Sequence, residues 1–223
     1  MWVVIPVKDI DAAKQRLSGV LDARERRALF AAMLEDVLAA VANVRGCDAV
    51  ALVTRDAAAN DLAVSHGFEV IEDQINAGHT EAVNLAITHL QEIGARGMVT
   101  FPGDIPLVTT SEIETLLAAH DPRCGMSIAP SRDKRGSNAV VLTPPNAVPL
   151  RFGSDSFFPH LDAARASGFE PRVVELTGLG LDIDTPDDLM QLAGTTGTTR
   201  THAFLLRSGV GARLAPQASG VVA

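Results

Sequence analysis

The chain contains no tyrosine, a single tryptophan and only 4% aromatic residues among its 223 positions. A core without large rings must be filled by Val, Leu, Ile and Ala, and the 47% of hydrophobic residues is enough for a sizeable core. Positive charge is also scarce, because the net charge is −8. This balance argues against a nucleic-acid-binding surface, which needs a basic patch, but it is compatible with a small anionic substrate.

Cysteine and long apolar runs are limited as well. Cys47 and Cys124 lie far apart without C-x-x-C spacing, which favours two reduced thiols over a disulfide or a zinc site. No stretch is long and apolar enough to predict a membrane span. The opening M-W-V-V-I-P-V-K lacks the basic region and long apolar core of a signal peptide, so we expect a cytoplasmic protein.

Apolar runs and helical patterns alternate through residues 1–120. Runs such as 2–7 and 48–54 predict buried strands, and amphipathic segments such as 22–44 predict helices. The alternation is typical of βαβ units, so we expect one α/β domain with a mixed, mostly parallel, Rossmann-like sheet and helices on both faces. This domain should cover residues 1–193, and the Gly/Thr-rich start of segment 194–223 predicts a weakly ordered extension.

Two aspartates late in the chain raise the question of a metal site. In L-D-I-D-T-P-D-D-L, the residues Thr185, Pro186 and Asp188 predict a helix start. That leaves Asp182 and Asp184, whose spacing puts both carboxylates on one face of an extended segment. A divalent cation would relieve their repulsion, and two solvated aspartates at a strand end are the alternative.

Other candidates follow the strands, where an open α/β sheet binds its ligands. In P-V-K-D-I-D-A-A-K-Q-R-L-S, the residues Lys8, Lys14 and Arg16 predict a phosphate-binding loop, with a solvated charged loop as the alternative. In F-P-G-D-I-P-L, Asp104 predicts a third metal ligand, or only a residue that organises the turn.

Two later motifs offer places for an anion. R-G-S-N-A-V-V-L contains Ser137 in a corner whose backbone N–H groups suit an anion, although an ordinary hairpin turn is the simpler interpretation. R-F-G-S-D-S-F contains Gly153, which permits close backbone approach, and Ser156, which opens a helix whose N-terminus attracts anions. Plain N-capping by Ser154 or Ser156 is the alternative. The six scattered histidines lack metal-ligand spacing and are interpreted as surface or capping residues.

The order of these motifs resembles the CofC/FbiD family, the guanylyltransferases of the coenzyme F420 pathway, from Met1 to about Leu192. The resemblance rests on P-V-K…K-x-R-L-S, P-x-D-I-P-L, G-S-N-A-V-V-L, R-F-G-x-D-S-F and L-D-I-D-T-P-D-D-L. It implies a GT-A-like nucleotidyltransferase fold. It also implies transfer of GMP from GTP to a phosphorylated three-carbon acid, with release of pyrophosphate. The acid would be 2-phospho-L-lactate, phosphoenolpyruvate or 3-phospho-D-glycerate.

The resemblance assigns roles to the three sets of residues named above. The aspartates would hold Mg²⁺ and, through it, the acceptor acid. The two serines and Gly153 would cradle the acceptor phosphate through backbone groups, and the basic loop would surround the triphosphate. In one place the chain departs from the family pattern. The G-L-N-x-A-L-like element over the guanine is here G-H-T-E-A-V-N, so its asparagine is replaced by Thr80 or displaced to Asn84.

The implied partners are GTP, the phosphorylated acid and the transferase that joins the guanylated product to the deazaflavin, with a homodimer left open. Two other functions stay open. One is a different GT-A-type nucleotidyltransferase that uses CTP or a molybdopterin acceptor, and the other is a non-catalytic binder of phosphorylated metabolites. The clustered carboxylates favour catalysis, because simple anion binding gains nothing from them.

Overall fold

The apolar runs pair into one mixed sheet in the computed structural model, which describes residues 1–10, 13–75 and 77–214. Among these residues the strands are β1 Trp2–Pro6, β2 Ala49–Thr54, β3 Glu69–Glu72, β4 Met98–Thr100, β5 Met126–Pro130, β6 Ser137–Leu142 and β7 Arg172–Val173. Their order is β3-β2-β1-β4-β6-β5-β7. Strands β1 to β4 are parallel, β6 is antiparallel to β4 and β5, and β7 is parallel to β5. The predicted mixed, mostly parallel sheet is confirmed.

Helices cover both faces of this sheet, as the strand–helix alternation predicted. In the described ranges they are α1 Ala23–Val41, α2 Ala57–Ser65, α3 His79–Glu92, α4 Thr110–Ala119, α5 Phe157–Ala166, α6 Pro186–Ala193, α7 Arg200–Ser208 and α8 Val210–Leu214. Alternate side chains of β1 point to opposite faces. Val3 and Ile5 therefore pack in one core cluster with α1, and Val4 packs in a second cluster with α3 and α5. No helix of the described ranges is long and apolar enough to cross a membrane.

The strand order creates a crevice beside β1. Strand β1 has β2 on one side and β4 on the other, so the chain winds away from it in both directions. The loops that follow β1 and β4 therefore flank one gap at the carboxyl ends of the parallel strands. Open α/β sheets bind ligands at such a switch point. Lys14 and Asp104 lie in these two loops.

Residues 111–114, S-E-I-E, match the S-x-x-E pattern and predict a helix start at Ser111, but α4 begins earlier, at Thr110. Thr109 is the N-cap, and its Oγ1 accepts a hydrogen bond from Glu112 N at 3.2 Å. Ser111 lies inside the helix, so Ser111 and Glu114 form no capping box here. Two capping-box patterns overlap here, one formed by Thr109 and Glu112 and the other by Ser111 and Glu114. Glu112 is fixed further because its Oε1 accepts a hydrogen bond from Gly178 N at 2.7 Å, which favours the earlier cap.

The segment after Gly194 also differs from its prediction. Instead of a weakly ordered extension, residues 200–214 form α7 and α8. Thr199 is the N-cap of α7, and its Oγ1 accepts a hydrogen bond from His202 N at 3.2 Å. Asp36 on α1 also accepts hydrogen bonds from the backbone N–H groups of Arg200 and Thr201, at 2.8 and 2.9 Å, and so docks α7 on α1. Leu205 is buried against the same core. The Thr/Gly-rich sequence does not reveal this docking, because the acceptor Asp36 lies on α1. Residues 215–223 lie outside the described residues, and a domain boundary after residue 193 stays a prediction.

Candidate active site

A buried lysine joins two segments that the sheet brings together. The Lys14 side chain is only 4% exposed, and its Nζ donates hydrogen bonds to the carboxylates of Asp104 and Asp184. The distance from Nζ to Asp184 Oδ1 is 2.7 Å. The guanidinium of Arg16 lies 3.6 Å from the other oxygen of Asp184. Two of the three predicted metal ligands therefore share one internal cation.

The charges in this cluster change how tightly each group holds its proton. Burial alone would lower the pKa of Lys14, but Asp104 and Asp184 raise that pKa above its ordinary value. Burial alone would raise the pKa of Asp184, but Lys14 and Arg16 hold that pKa below its ordinary value. The ammonium and the Asp184 carboxylate are therefore both ionised at neutral pH.

Asp182 lies in a different electrostatic environment. Burial, and then the charge of Asp104, raises the pKa of Asp182, and a hydrogen bond from Asn138 Nδ2 to its Oδ1 at 3.0 Å offsets part of the rise. Asn138 also donates to the Leu179 carbonyl oxygen at 2.9 Å. The G-S-N corner thus fixes the start of the L-D-I-D segment. An added cation at Asp182 would relieve the repulsion between the aspartates.

The L-D-I-D segment is not a strand of the sheet. Residues 181–184 have no regular secondary structure, and Ile183 N donates to the Asp104 carbonyl oxygen at 3.1 Å. Burial nevertheless alternates, because Leu181 and Ile183 lie in the core while Asp182 and Asp184 line a cavity. The two carboxylates therefore face the same space, although one backbone hydrogen bond replaces strand pairing.

The aspartates fit a hard divalent cation in their chemistry. Carboxylate oxygens are the ligands that Mg²⁺ prefers, and Asp104 Oδ1 is buried without a hydrogen-bond partner in the described structure. In the ranges 1–10, 13–75 and 77–214, however, no three His, Cys, Asp or Glu side chains are arranged around one ion. The Lys14 ammonium lies between Asp104 and Asp184 and draws both carboxylates to itself. A metal ion bound by Asp104 and Asp184 would therefore lie beside the Lys14 ammonium.

The two predicted anion-binding serines are joined to each other and to a histidine. Ser156 Oγ accepts a hydrogen bond from Ser137 N at 3.1 Å and donates one to Ser137 Oγ at 3.3 Å. Ser137 Oγ also lies 2.8 Å from His160 Nδ1. Ser156 is the N-cap of α5, yet its side chain makes no capping hydrogen bond in the described structure. Plain N-capping by Ser156 is therefore the wrong interpretation, and its hydroxyl binds Ser137 instead.

The candidate residues gather at one cavity of about 890 Å³. Those that line it are Lys8, Arg16, Asp104, Ser137, Gly153, Ser156, Asp182 and Asp184. Lys14 is the exception, because its buried ammonium meets the cavity wall only through the two aspartates that it bridges. Arg132, Arg135 and Arg151 add positive charge to the lining, and the sequence reasoning did not single them out. The cavity thus combines carboxylates with cations, as a site for a metal-bound anion would.

Residues 1–220 match the protein family described as guanylyl transferase CofC like. The chain belongs to this family. It is 35% identical over 205 residues to a phosphoenolpyruvate guanylyltransferase of Conexibacter woesei, a match that covers 91% of each chain. A 3-phospho-D-glycerate guanylyltransferase of Colwellia psychrerythraea is 33% identical, over 86% of this chain and 90% of that protein. A 2-phospho-L-lactate guanylyltransferase of Methanothermobacter thermautotrophicus is 35% identical, over 85% and 82%.

Solved structures agree with this family membership at the level of the fold. A Desulfovibrio desulfuricans protein assigned as a nucleotide-diphospho-sugar transferase superposes with a TM-score of 0.76, at 19% identity, over 96% of this chain and 97% of that one. The GT-A-like nucleotidyltransferase fold implied by the motifs is confirmed.

In this CofC-like protein, the altered element at the start of α3 presents Thr80 to the cavity. Thr80 lines it and Asn84 does not. Thr80 Oγ1 accepts a hydrogen bond from Phe152 N at 3.0 Å, which ties α3 to the R-F-G-S-D-S loop. The His79 ring packs on Phe152 with centroids 4.5 Å apart. Burial, above all, lowers the pKa of His79 to about 4, so the ring is neutral at pH 7.

His160 is neither a surface nor a capping residue, in contrast to the interpretation that its sequence context favours. His160 is only 1% exposed, and its Nε2 accepts a hydrogen bond from Arg151 N at 2.9 Å. The available signal is the four-residue spacing from Ser156, which places both side chains on one face of α5. That spacing shows proximity, but only the folded chain shows that Ser137 lies between them.

Proposed function

We propose that the protein transfers GMP from GTP to a phosphorylated three-carbon acid, and that phosphoenolpyruvate, 2-phospho-L-lactate and 3-phospho-D-glycerate are the candidate acceptors. Family membership and the names of the relatives support this reaction. The observation that carries the proposal is one cavity that adjoins both the Lys14-bridged aspartates and the Ser137–Ser156 corner. Such a cavity can hold two anions in contact, which is the main difficulty of this reaction.

The triphosphate is assigned to the basic side of the cavity. Lys8 and Arg16 line that side, and a Cβ built on Gly78 would lie 3.9 Å from Lys8 Nζ. Lys8 therefore lies at the N-terminus of α3, where the helix dipole adds positive potential. The base of the nucleotide would then lie against His79 and Thr80.

The acceptor acid is assigned to the corner formed by β6 and the start of α5. Ser137 supplies a hydroxyl group there, to which the Ser156 hydroxyl donates, and Gly153 has open space where a side chain would begin. Arg151 lines the same part of the cavity and brings a positive charge for a phosphate or carboxylate. The acid's phosphate would then face the α-phosphorus of the nucleotide.

The reaction needs positioning and neutralisation more than proton transfer. A phosphate oxygen of the acid attacks the α-phosphorus of GTP, and the bond from that phosphorus to the bridging α–β oxygen breaks. Pyrophosphate leaves with the bond's electron pair, and the product is a mixed diester of diphosphate. A phosphate monoester is largely ionised near neutral pH, so no general base is required. Lys14, Lys8 and Arg16 supply fixed positive charge near the reacting groups.

Mg²⁺ is the proposed cofactor, with Asp104, Asp182 and Asp184 as the residues that would hold it. When bound, the ion supplies further positive charge to the triphosphate and the acid. Asp182 is held in place by Asn138, and Asp104 keeps one buried oxygen available. Lys14 fixes Asp104 and Asp184 relative to each other.

We place this reaction in coenzyme F420 biosynthesis, where the guanylated acid would pass to the transferase that joins it to the deazaflavin. The motifs quoted for the family support this place. The product is a reactive mixed diester, so removal by a following group-transfer enzyme suits its chemistry.

The test is pyrophosphate release by the purified protein with Mg²⁺ and GTP, run separately with each of the three acids and coupled to the next enzyme. We expect release with at least one acid and none without an acid. Parallel reactions with CTP test the rival cytidylyltransferase function, which predicts release with CTP in place of GTP. A protein whose melting temperature rises with the acids, but which releases no pyrophosphate with either nucleotide, would be a non-catalytic binder and would contradict the proposal.

A further inference from the structure

His160 makes two hydrogen bonds whose donors and acceptors can be assigned. The ring is 1% exposed, with Nε2 2.9 Å from Arg151 N and Nδ1 2.8 Å from Ser137 Oγ. A backbone N–H group can only donate, so Nε2 must accept and carries no proton. The proton of the neutral ring is therefore on Nδ1, and Nδ1–H donates to Ser137 Oγ.

This tautomer determines what the Ser137 hydroxyl can do. Its oxygen accepts one hydrogen bond from His160 Nδ1 and another from Ser156 Oγ, which occupies both lone pairs. The Ser137 hydroxyl is left only as a donor. Ser137 lines the cavity, so its proton is available to a ligand that accepts hydrogen bonds. Phosphate and carboxylate oxygens are such acceptors, and an ionised acid has no competing donor on these groups.

We propose that His160 is a positioning residue for the acceptor acid, which fixes the Ser137 hydroxyl as a hydrogen-bond donor to one of the acid's anionic oxygens. The identity of the acid rests on the proposed function, whereas the tautomer of His160 does not.

His160 also fixes the loop that carries Gly153. By accepting from Arg151 N it holds the start of this loop against β6, and its ring meets Phe152 edge-on with centroids 5.0 Å apart. Phe152 N in turn donates to Thr80 Oγ1 on α3. His160 thus orients the Ser137 hydroxyl on β6 and also holds the loop that begins at Arg151. His160 itself does not line the cavity.

His120 is a matched control in the same protein. Its Nδ1 lies 2.9 Å from Ser127 Oγ and its Nε2 lies 3.0 Å from Thr143 Oγ1. Both partners are hydroxyls, which can donate or accept, so neither tautomer is imposed. His120 bonds two elements together but does not line the cavity. Replacement of His120 should lower the stability of the protein, because two hydrogen bonds are lost, without affecting the binding of the acid.

The first test is a long-range ¹H–¹⁵N NMR spectrum of the ¹⁵N-histidine-labelled protein at pH 7, with the signal assigned by its absence in His160→Gln. We expect a neutral ring with the proton on Nδ1. A proton on Nε2, or a rapid average of the two tautomers, would overturn the inference regardless of activity.

The second test is steady-state kinetics with GTP and phosphoenolpyruvate, or whichever of the three acids is guanylylated. His160→Leu should raise the KM for the acid about 10-fold or more, because one hydrogen bond to a charged group contributes about that much affinity. The KM for GTP should change less than about 2-fold. His160→Gln should recover part of the loss, because its amide can accept from Arg151 N and donate to Ser137 Oγ. His120→Leu should leave both KM values unchanged.

A double-mutant cycle separates this role from a structural one. Ser137→Ala should also raise the KM for the acid, and the double variant should be little worse than His160→Leu alone, because loss of His160 already removes the bond that fixes the Ser137 hydroxyl. Additive losses, or equal losses for GTP and the acid, would overturn the inference. A wild-type protein that neither binds nor guanylylates any of the three acids would instead overturn the proposed function, and with it the acid's part in this inference.

Discussion

The Lys14 ammonium lies 2.7 Å from Asp184 Oδ1, although 170 positions separate the two residues in the chain. The same ammonium also donates to Asp104, so a nearly inaccessible cation is held by two carboxylates. Loss of one member of a buried ion group is costly, because the others keep their desolvation penalty without compensation. Lys14 is therefore both a structural residue and a candidate catalytic one.

Lys14→Met should lower the free energy of unfolding by about 3 kcal/mol, near the lower end for a broken buried ion pair, because Asp184 is 44% exposed. Mg²⁺ should stabilise this variant more than it stabilises the wild type, since the ion then replaces the missing charge. Urea denaturation with and without Mg²⁺ measures both effects. Arg16→Met is the control, because the Arg16 side chain is 69% exposed and its loss should cost less than about 0.5 kcal/mol. A Lys14→Met protein as stable as the wild type would contradict the prediction.

Asp182→Asn should abolish guanylyl transfer while the melting temperature stays the same or rises. The raised pKa of Asp182 reflects burial and the charge of Asp104, so a neutral amide removes an unfavourable interaction. The amide oxygen can still accept from Asn138. Pyrophosphate release and differential scanning calorimetry measure the two effects, and Asp61→Asn on α2, outside the cavity lining, is the control. Full activity of Asp182→Asn would exclude a role for its charge.

Acid should destabilise the protein through His79 and His160 at pH values where most carboxylates are still ionised. Burial, chiefly, lowers the pKa of each to about 4, below the value of 6.5 in an unfolded chain. The unfolded state therefore takes up protons that the folded state does not. Stability from these rings is complete above pH 6.5 and is lost as the pH falls from 6.5 towards 4.

His160→Gln removes one of these titrations and so provides the check. Between pH 7 and pH 4.5, its unfolding free energy should fall by about 2 kcal/mol less than that of the wild type, the amount that linkage assigns to one such shift. Urea denaturation at the two pH values measures the difference. Equal losses in the two proteins would show that His160 is not held neutral by the fold.

Gly78→Ala should disturb the nucleotide side of the cavity. Gly78 has φ 145°, a conformation that an L-residue rarely adopts, and a Cβ there would lie 2.7 Å from Glu81 Oε2. We expect a loss of about 1–3 kcal/mol in stability from the strained backbone and a higher KM for GTP. Gly19→Ala is the control, because its φ is not positive and no atom lies within 4 Å of a Cβ there. If thermal melting and the KM for GTP are unchanged in Gly78→Ala, the start of α3 does not depend on this glycine.

The sequence predicts the sheet and its helices well because their signals are local. Runs such as β1 and stripes such as that of α1 are readable from spacing alone, and so is the Thr185–Asp188 start of α6, where Thr185 Oγ1 accepts from Asp188 N. The docking of α7 was not predicted, because the Asp36 carboxylate that accepts from its first two N–H groups lies more than 160 residues earlier. Local patterns carry no information about partners of that kind.

The candidate site, too, is predictable from local patterns only in part. The residue types around the cavity are visible in the motifs, and the strand order explains why the loops after β1 and β4 meet. Two relationships were not predictable. The L-D-I-D segment has strand-like alternation, but its backbone meets Asp104 instead of a strand edge. His160 has helical spacing from Ser156, but its function depends on a hydrogen bond from Arg151 that no spacing reveals.

The distances along the chain between Lys14 and its partners have a consequence for protein synthesis. A ribosome adds Lys14 90 residues before Asp104 and 170 residues before Asp184. Until the L-D-I-D segment has emerged, the basic loop lacks one of the two carboxylates that fix it, and an ammonium with incomplete countercharge stays in water. The nascent polypeptide therefore carries the loop of Lys8, Lys14 and Arg16 before the carboxylates that fix Lys14 are both present.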